Sequence, residues 1–171
     1  MLGPERRSRV FTDKVKKEVA YHESGHAVVA FICQESDPVH KVTIIPRGQA
    51  LGLTAMLPEE DQYTVSEQQF LDKICVAFGG RVAEDVFLGK IGSGAYGDIK
   101  AVTSYARTMV TRLGMSNLLG PIAFEESAEQ VFLGRDYARH STHSEKTLRD
   151  IDGEVKRIVM EQFERAREIL Q

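Results

Sequence analysis

Residues 22–26 read His22-Glu23-Ser24-Gly25-His26, an H-E-x-x-H run that brings its side chains together only if the backbone around it is helical. Residues four apart share a helix face, so both imidazoles can reach one cation from a single turn. Glu23 points slightly aside, within reach of a water on that cation. The surrounding pattern predicts this helix. Val15, Val19, His22, His26, Val29 or Ala30, and Cys33 recur at three- and four-residue steps, with Lys14 and Glu18 paired on the opposite face. Thr12 or Asp13 can cap its start, and it is expected to run to about Gln34. Neutral imidazole nitrogens favour Zn2+, and three protein ligands plus a water leave the open position that hydrolysis needs. The expectation is a hydrolytic zinc site with His22 and His26 as ligands and Glu23 as proton acceptor, against a chance match on an apolar helix.

A third ligand must come from elsewhere in the chain. The extended H-E-x-x-H-x-x-G-x-x-H form fails, because Val29 and Ile32 stand where its Gly and third His belong. No Glu lies about twenty residues after His26 on a helical pattern. His40, His140, His143, Glu84 and Asp98 remain as candidates, with His140 and His143 in a polar stretch that reads as a solvated loop.

Downstream, Val42, Ile44 and then Leu51, Leu53 and Ala55 alternate on either side of Pro46-Arg47-Gly48, which predicts two short strands. Thr64-Val65-Ser66-Glu67 reads as a capping box, followed by a helix with Phe70, Ile74, Ala77 and Phe78 on its apolar face until Gly79-Gly80; the pattern then resumes through Val82 and Val86. Glycines 89, 92, 94 and 97 mark a loop, and Asp98 opens a helix ended by Gly114. A final amphipathic helix starts at Ser144 and carries Leu148, Ile151, Val155, Ile158 or Val159, Phe163, Ala166 and Leu170.

Composition narrows the function classes. Lys and Arg number 22 against 25 Asp and Glu, with no basic stretch between aromatics, so nucleic acid is not an expected partner. The longest apolar run, Ala27 to Cys33, is far shorter than the ~20 residues that span a bilayer. Cys33 and Cys75 each sit in an apolar segment and read as buried thiols. Gly92 to Gly97 fits G-x-G-x-x-G but follows a helical pattern and lacks the acidic residue about twenty positions on, so a dinucleotide site is not expected. Gly89-Lys90 is the only Gly-Lys pair, and Glu84 and Ile91 occupy positions where a P-loop needs Gly and Ser or Thr.

Gly3-Pro-Glu-Arg-Arg-Ser-Arg-Val10 followed by Ala20-Tyr-His-Glu-Ser-Gly-His-Ala-Val-Val29 strongly resembles the peptidase domain of the FtsH family. Val42 to Gly48, Phe78 to Glu84, Ser93 to Ala95 with Asp98, Ala106-Arg107 with Met109-Val110, and Ile151-Asp152 with Glu154-Val155 are similar to further family blocks, in order. The resemblance implies a mainly helical single domain with a small β-sheet and a zincin-like motif helix. It implies one zinc ion per chain, held by His22, His26 and Asp98 with Glu23 as base. It also implies polypeptide substrates and a homo-hexameric ring beneath an ATPase ring, in a protein anchored at the cytoplasmic face of a bacterial inner membrane or its organellar equivalent. On this reading residues 1–11 are a linker from an ATPase module and residues 12–171 are the peptidase domain, itself soluble and cut short at its C-terminus. ATP belongs to the ATPase module alone. Ser24 stands where the family usually has Ala, and Tyr96-Gly97 replaces the usual small or polar pair before the aspartate.

Asp98 and Glu84 compete for the third position. Asp98 follows the glycine loop at a helix N-terminus, which favours the ionised carboxylate a metal requires. Glu84 could instead accept a hydrogen bond from the second nitrogen of His22 or His26 and fix that ring. Two rival functions are a catalytically inactive hexamerisation module, which would need no Glu23, and a zinc hydrolase of small molecules.

Overall fold

A computed structural model describes residues 12–46, 51–58, 63–124 and 143–171. The expected linker at 1–11, the Arg47-Gly48 turn and His140 lie outside the described residues. Among the described residues, four helices and one two-stranded antiparallel sheet follow in the order α1 (Asp13–Ile32), β1 (Val39–Thr43), β2 (Leu53–Met56), α2 (Glu67–Leu88), α3 (Tyr96–Thr111) and α4 (Glu145–Leu170). A short 3-10 turn, Ser93–Ala95, leads into α3. The mainly helical fold with a small sheet is the one expected.

Helix α1 starts where its sequence allows: the Thr12 side chain accepts from the Val15 amide. The start of α2 differs from expectation. Its N-cap is Ser66, not Thr64, and the reciprocal partner is Gln69, whose side chain accepts from the Ser66 amide at 2.7 Å while Ser66 Oγ accepts from the Gln69 amide at 3.1 Å. The box is therefore S-x-x-Q at Ser66 and Gln69, two residues on from the T-x-x-E that the same spacing also allows. Strand β1 begins earlier and ends sooner than the alternation predicted, whereas β2 begins and ends later; the two pair Val42 with Thr54 and Thr43 with Leu53.

A second difference lies at Gly79-Gly80, where the apolar pattern breaks but α2 runs straight through. Two helix-interior glycines each cost about 1 kcal/mol relative to Ala. Here they let α1 and α2 touch backbone to backbone: a methyl group on Gly79 would lie 2.5 Å from the Gly25 carbonyl oxygen and 2.8 Å from the His26 amide nitrogen. Because α2 packs against α1, α3 and α4, it is covered on several sides, and Ile74, Cys75, Val76, Phe78, Val82 and Ala83 are all buried. Burying each large aliphatic side chain is worth ~1.5–3 kcal/mol, enough to offset the glycines. Helix α4 closes the core with one stripe, Ile151, Val155, Ile158, Ala166 and Leu170, and Phe163 meets Phe78 edge to face at 5.3 Å. Leu148, expected on that stripe, is exposed.

Two buried carboxylates brace the bundle. Asp72, 1% exposed, accepts from Arg165 Nη1 of α4 at 2.6 Å, from Gln68 Nε2 at 2.7 Å and from the Glu35 amide just beyond α1 at 3.0 Å. Glu154 of α4 accepts from Ser116 Oγ at 2.8 Å and from Arg157, which holds its carboxyl below the usual carboxylate range. Among the described residues no helix is long and apolar enough to cross a membrane.

Candidate metal centre

The α1 helix carries His22 and His26 one turn apart, with their rings nearly perpendicular at an interplanar angle of 83°. Each ring is fixed from its outer side. His22 Nδ1 lies 2.7 Å from Glu84 Oε1 of α2, and His26 Nδ1 lies 2.8 Å from the Val76 carbonyl oxygen. A carbonyl or carboxylate oxygen can only accept, so each Nδ1 carries the proton and each Nε2 turns a lone pair inward. The two Nε2 atoms are 3.1 Å apart. Asp98 Oδ2, in the first turn of α3, lies 3.3 Å from His22 Nε2 and 3.8 Å from His26 Nε2.

These three donor atoms, each within 4.8 Å of the others, form a group able to hold a metal ion. Two lone pairs and a carboxylate oxygen facing one another repel unless a proton or cation lies among them. Ligands ~2.0–2.1 Å from a tetrahedral ion stand about 3.3 Å apart, so the observed spacings suit such an ion, and the nitrogen-and-oxygen donor set suits zinc. In the bare cluster the two imidazoles diverge. Burial pulls His22 down, but hydrogen bonds to Asp98 and Glu84 outweigh it and hold His22 above its ordinary value. Burial and the neighbouring His22 charge push His26 below.

Packing leaves no slack around the rings. A methyl group on Gly80 would lie 2.6 Å from His22 Nε2 and from His26 Nε2. Glu84 uses its second oxygen to accept from the Gly92 amide at 2.8 Å, tying α2 to the glycine loop that leads into Asp98. Glu23 is 8% exposed, and its carboxylate meets Thr54 of β2. An open cleft runs past the cluster between β2 and α3, lined by Leu53, Thr54, Met56, Ala101 and Tyr105.

The structure thus gathers His22, Glu23, His26, Glu84 and Asp98 in one place. Asp98 sits two residues inside α3 instead of opening it. His40 lies exposed on β1, and His143 lies beside Phe124, with its Nε2 2.8 Å from the Phe124 carbonyl oxygen; neither joins the cluster. Sequence reasoning missed Val76, Thr54 and Gly80. A backbone carbonyl leaves no signature, and neither does a hydroxyl 31 residues from its partner. The Gly79-Gly80 pair was the one visible signal.

The model of peptidase family M41 matches residues 9–171. The ATP-dependent zinc metalloprotease FtsH 1 of Thermoanaerobacter sp. (strain X514) is 52% identical over 170 residues, covering 99% of this chain and 28% of that protein. The ATP-dependent zinc metalloprotease FtsH of Haemophilus influenzae is 51% identical over 171 residues, covering 99% of this chain and 27% of that protein. The chain spans little more than a quarter of the length of these relatives. With a family match over nearly its whole length and the motif helix at its centre, the chain belongs to peptidase family M41.

Proposed function

We propose that this chain is a zinc-dependent endopeptidase in which His22, His26 and Asp98 hold the ion, Glu23 accepts and returns the proton, and Glu84 orients His22. The observation that carries the reading is the convergence of two inward-facing Nε2 atoms and one carboxylate oxygen, with each imidazole locked through its Nδ1. When bound, zinc supplies Lewis-acid polarisation of the scissile carbonyl and acidifies a water. Glu23 takes the proton of the attacking water at a carboxylate oxygen and returns it to the departing amine. The cleft beside β2 suits an extended backbone, since a strand edge recognises main-chain groups with little regard to side chains.

The relatives are named as ATP-dependent zinc metalloproteases, which supports a setting of the same kind for this domain. In that setting residues 12–171 form the peptidase domain and residues 1–11 a linker from an ATPase module. An ATP-driven ring delivers unfolded polypeptides, the domain works as a homo-hexamer, and segments outside residues 12–171 anchor the protein to a membrane. Glu23→Gln is the test: it removes the proton acceptor and neither imidazole. It should keep zinc at wild-type stoichiometry and lose casein cleavage by about 10²- to 10⁴-fold, measured on the chain alone and joined to a hexamer-forming segment. Unchanged turnover would overturn the role of Glu23.

A further inference from the structure

Glu23 lies on a helix that fixes its backbone but leaves three side-chain torsions to be set by contacts. Across from it, β2 pairs with β1 through Val42 and Thr54. Thr54 Oγ1 stands 2.8 Å from Glu23 Oε2 and 2.9 Å from the Glu23 carbonyl oxygen. A hydroxyl has one proton to donate. A mid-helix carbonyl already accepts from the amide four residues on, whereas an ionised carboxylate makes the stronger, charge-assisted bond. The hydroxyl proton therefore goes chiefly to the carboxylate. Among the described residues Thr54 is the one hydrogen-bond partner of that carboxylate, and Glu23 is buried enough for the loss to matter.

The approach of the strand is itself specific. A methyl group on Gly52 would lie 2.6 Å from Glu23 Oε1 and 2.6 Å from Val19 Cγ1. Gly52 thus lets β2 come close enough for Thr54 to reach Oε2 while the bare backbone walls off Oε1 on one side.

We propose that Thr54 is a positioning residue: its hydroxyl holds the Glu23 carboxylate in the one rotamer that serves proton transfer, and so links the substrate-facing strand to the base. This rests on the assignment of Glu23 as proton acceptor. A catalytic group displaced by about 1 Å costs up to ~100-fold in rate, so the hydroxyl governs turnover through Glu23.

Two measurements on the full chain test it. In urea unfolding of the metal-free chain, Thr54→Val should lower the folding equilibrium constant about tenfold, and clearly less when Glu23 is already Ala. With the carboxylate gone the hydroxyl proton is free for the helix carbonyl, so the coupling reads the carboxylate bond net of that weaker one. In the zinc-loaded chain, Thr54→Val should lower kcat about 10- to 100-fold with KM and zinc stoichiometry unchanged, and Thr54→Ser should restore most of it. Zero coupling between Thr54 and Glu23 overturns the proposal, as does coupling with wild-type kcat in Thr54→Val. Full activity in Glu23→Gln instead overturns the base assignment. If the zinc-loaded wild type cleaves nothing, the cycle alone decides whether Thr54 holds the carboxylate.

Discussion

Asp98 and Glu84 are both carboxylates within reach of His22, yet they face opposite nitrogens of the ring. Glu84 meets Nδ1, the side that carries the proton, whereas Asp98 meets Nε2, the side with the lone pair. That difference supports the proposed roles, Glu84 as orienter and Asp98 as ligand. Asp98→Ala should therefore lose most bound zinc, while Glu84→Ala should weaken affinity about 10- to 100-fold without emptying the site. Zinc titration with a competing chelator distinguishes them, and an empty site in Glu84→Ala beside full occupancy in Asp98→Ala would reverse the assignment. At this scale His22, Glu23 and His26 were legible because a helix turns five consecutive letters into a geometry. Asp98 was legible through the family resemblance, since residue chemistry alone left five candidates. Val76 and Thr54 were not legible, because each acts across a distance in sequence that no local pattern encodes.

Among the elements, α1 and α4 are legible as wholes, while α2 is legible only in two pieces on either side of Gly79-Gly80. One stripe of α4 is buried and the rest is wet, so a 3.6-residue period survives in its sequence. Helix α2 is enclosed by three others; apolar residues surround it, and its two glycines look like a terminus when they are a crossing point. Gly79→Ala tests the crossing. It raises intrinsic helix propensity by about 1 kcal/mol, yet its methyl meets the Gly25 carbonyl, a backbone group that cannot rotate away. The net expectation is destabilisation by ~1–3 kcal/mol, read from the urea midpoint, and a more stable variant would refute the close packing. The cap of α2 shows a finer limit: both Thr64 and Ser66 are good caps by composition, and only the Gln69 return bond selects Ser66.

Over the whole molecule, cohesion depends on buried charge as well as apolar packing. The Glu154 carboxyl is lowered first by its hydrogen bonds from Arg157, with Ser116 adding to it against the cost of burial. Its folded value lies below the 4.5 of an ordinary glutamate, so the stability it contributes is complete above that pH and drains away as pH falls through the depressed folded value. Wild type should lose unfolding free energy in acid more steeply than Glu154→Gln, as measured by urea unfolding at several pH values between neutral and about 3. Equal slopes would remove Glu154 from the account. No local pattern in the sequence marks this bracing, because Glu154 and Asp72 meet Ser116 and Arg165 across 38 and 93 residues. The central claim concerns the three ligands, and anomalous diffraction at the zinc edge from crystals of the zinc-loaded chain tests it most directly. One peak should appear about 2.0–2.2 Å from His22 Nε2, His26 Nε2 and an Asp98 carboxylate oxygen; a peak bound instead to Glu84, or none at this cluster, would contradict it.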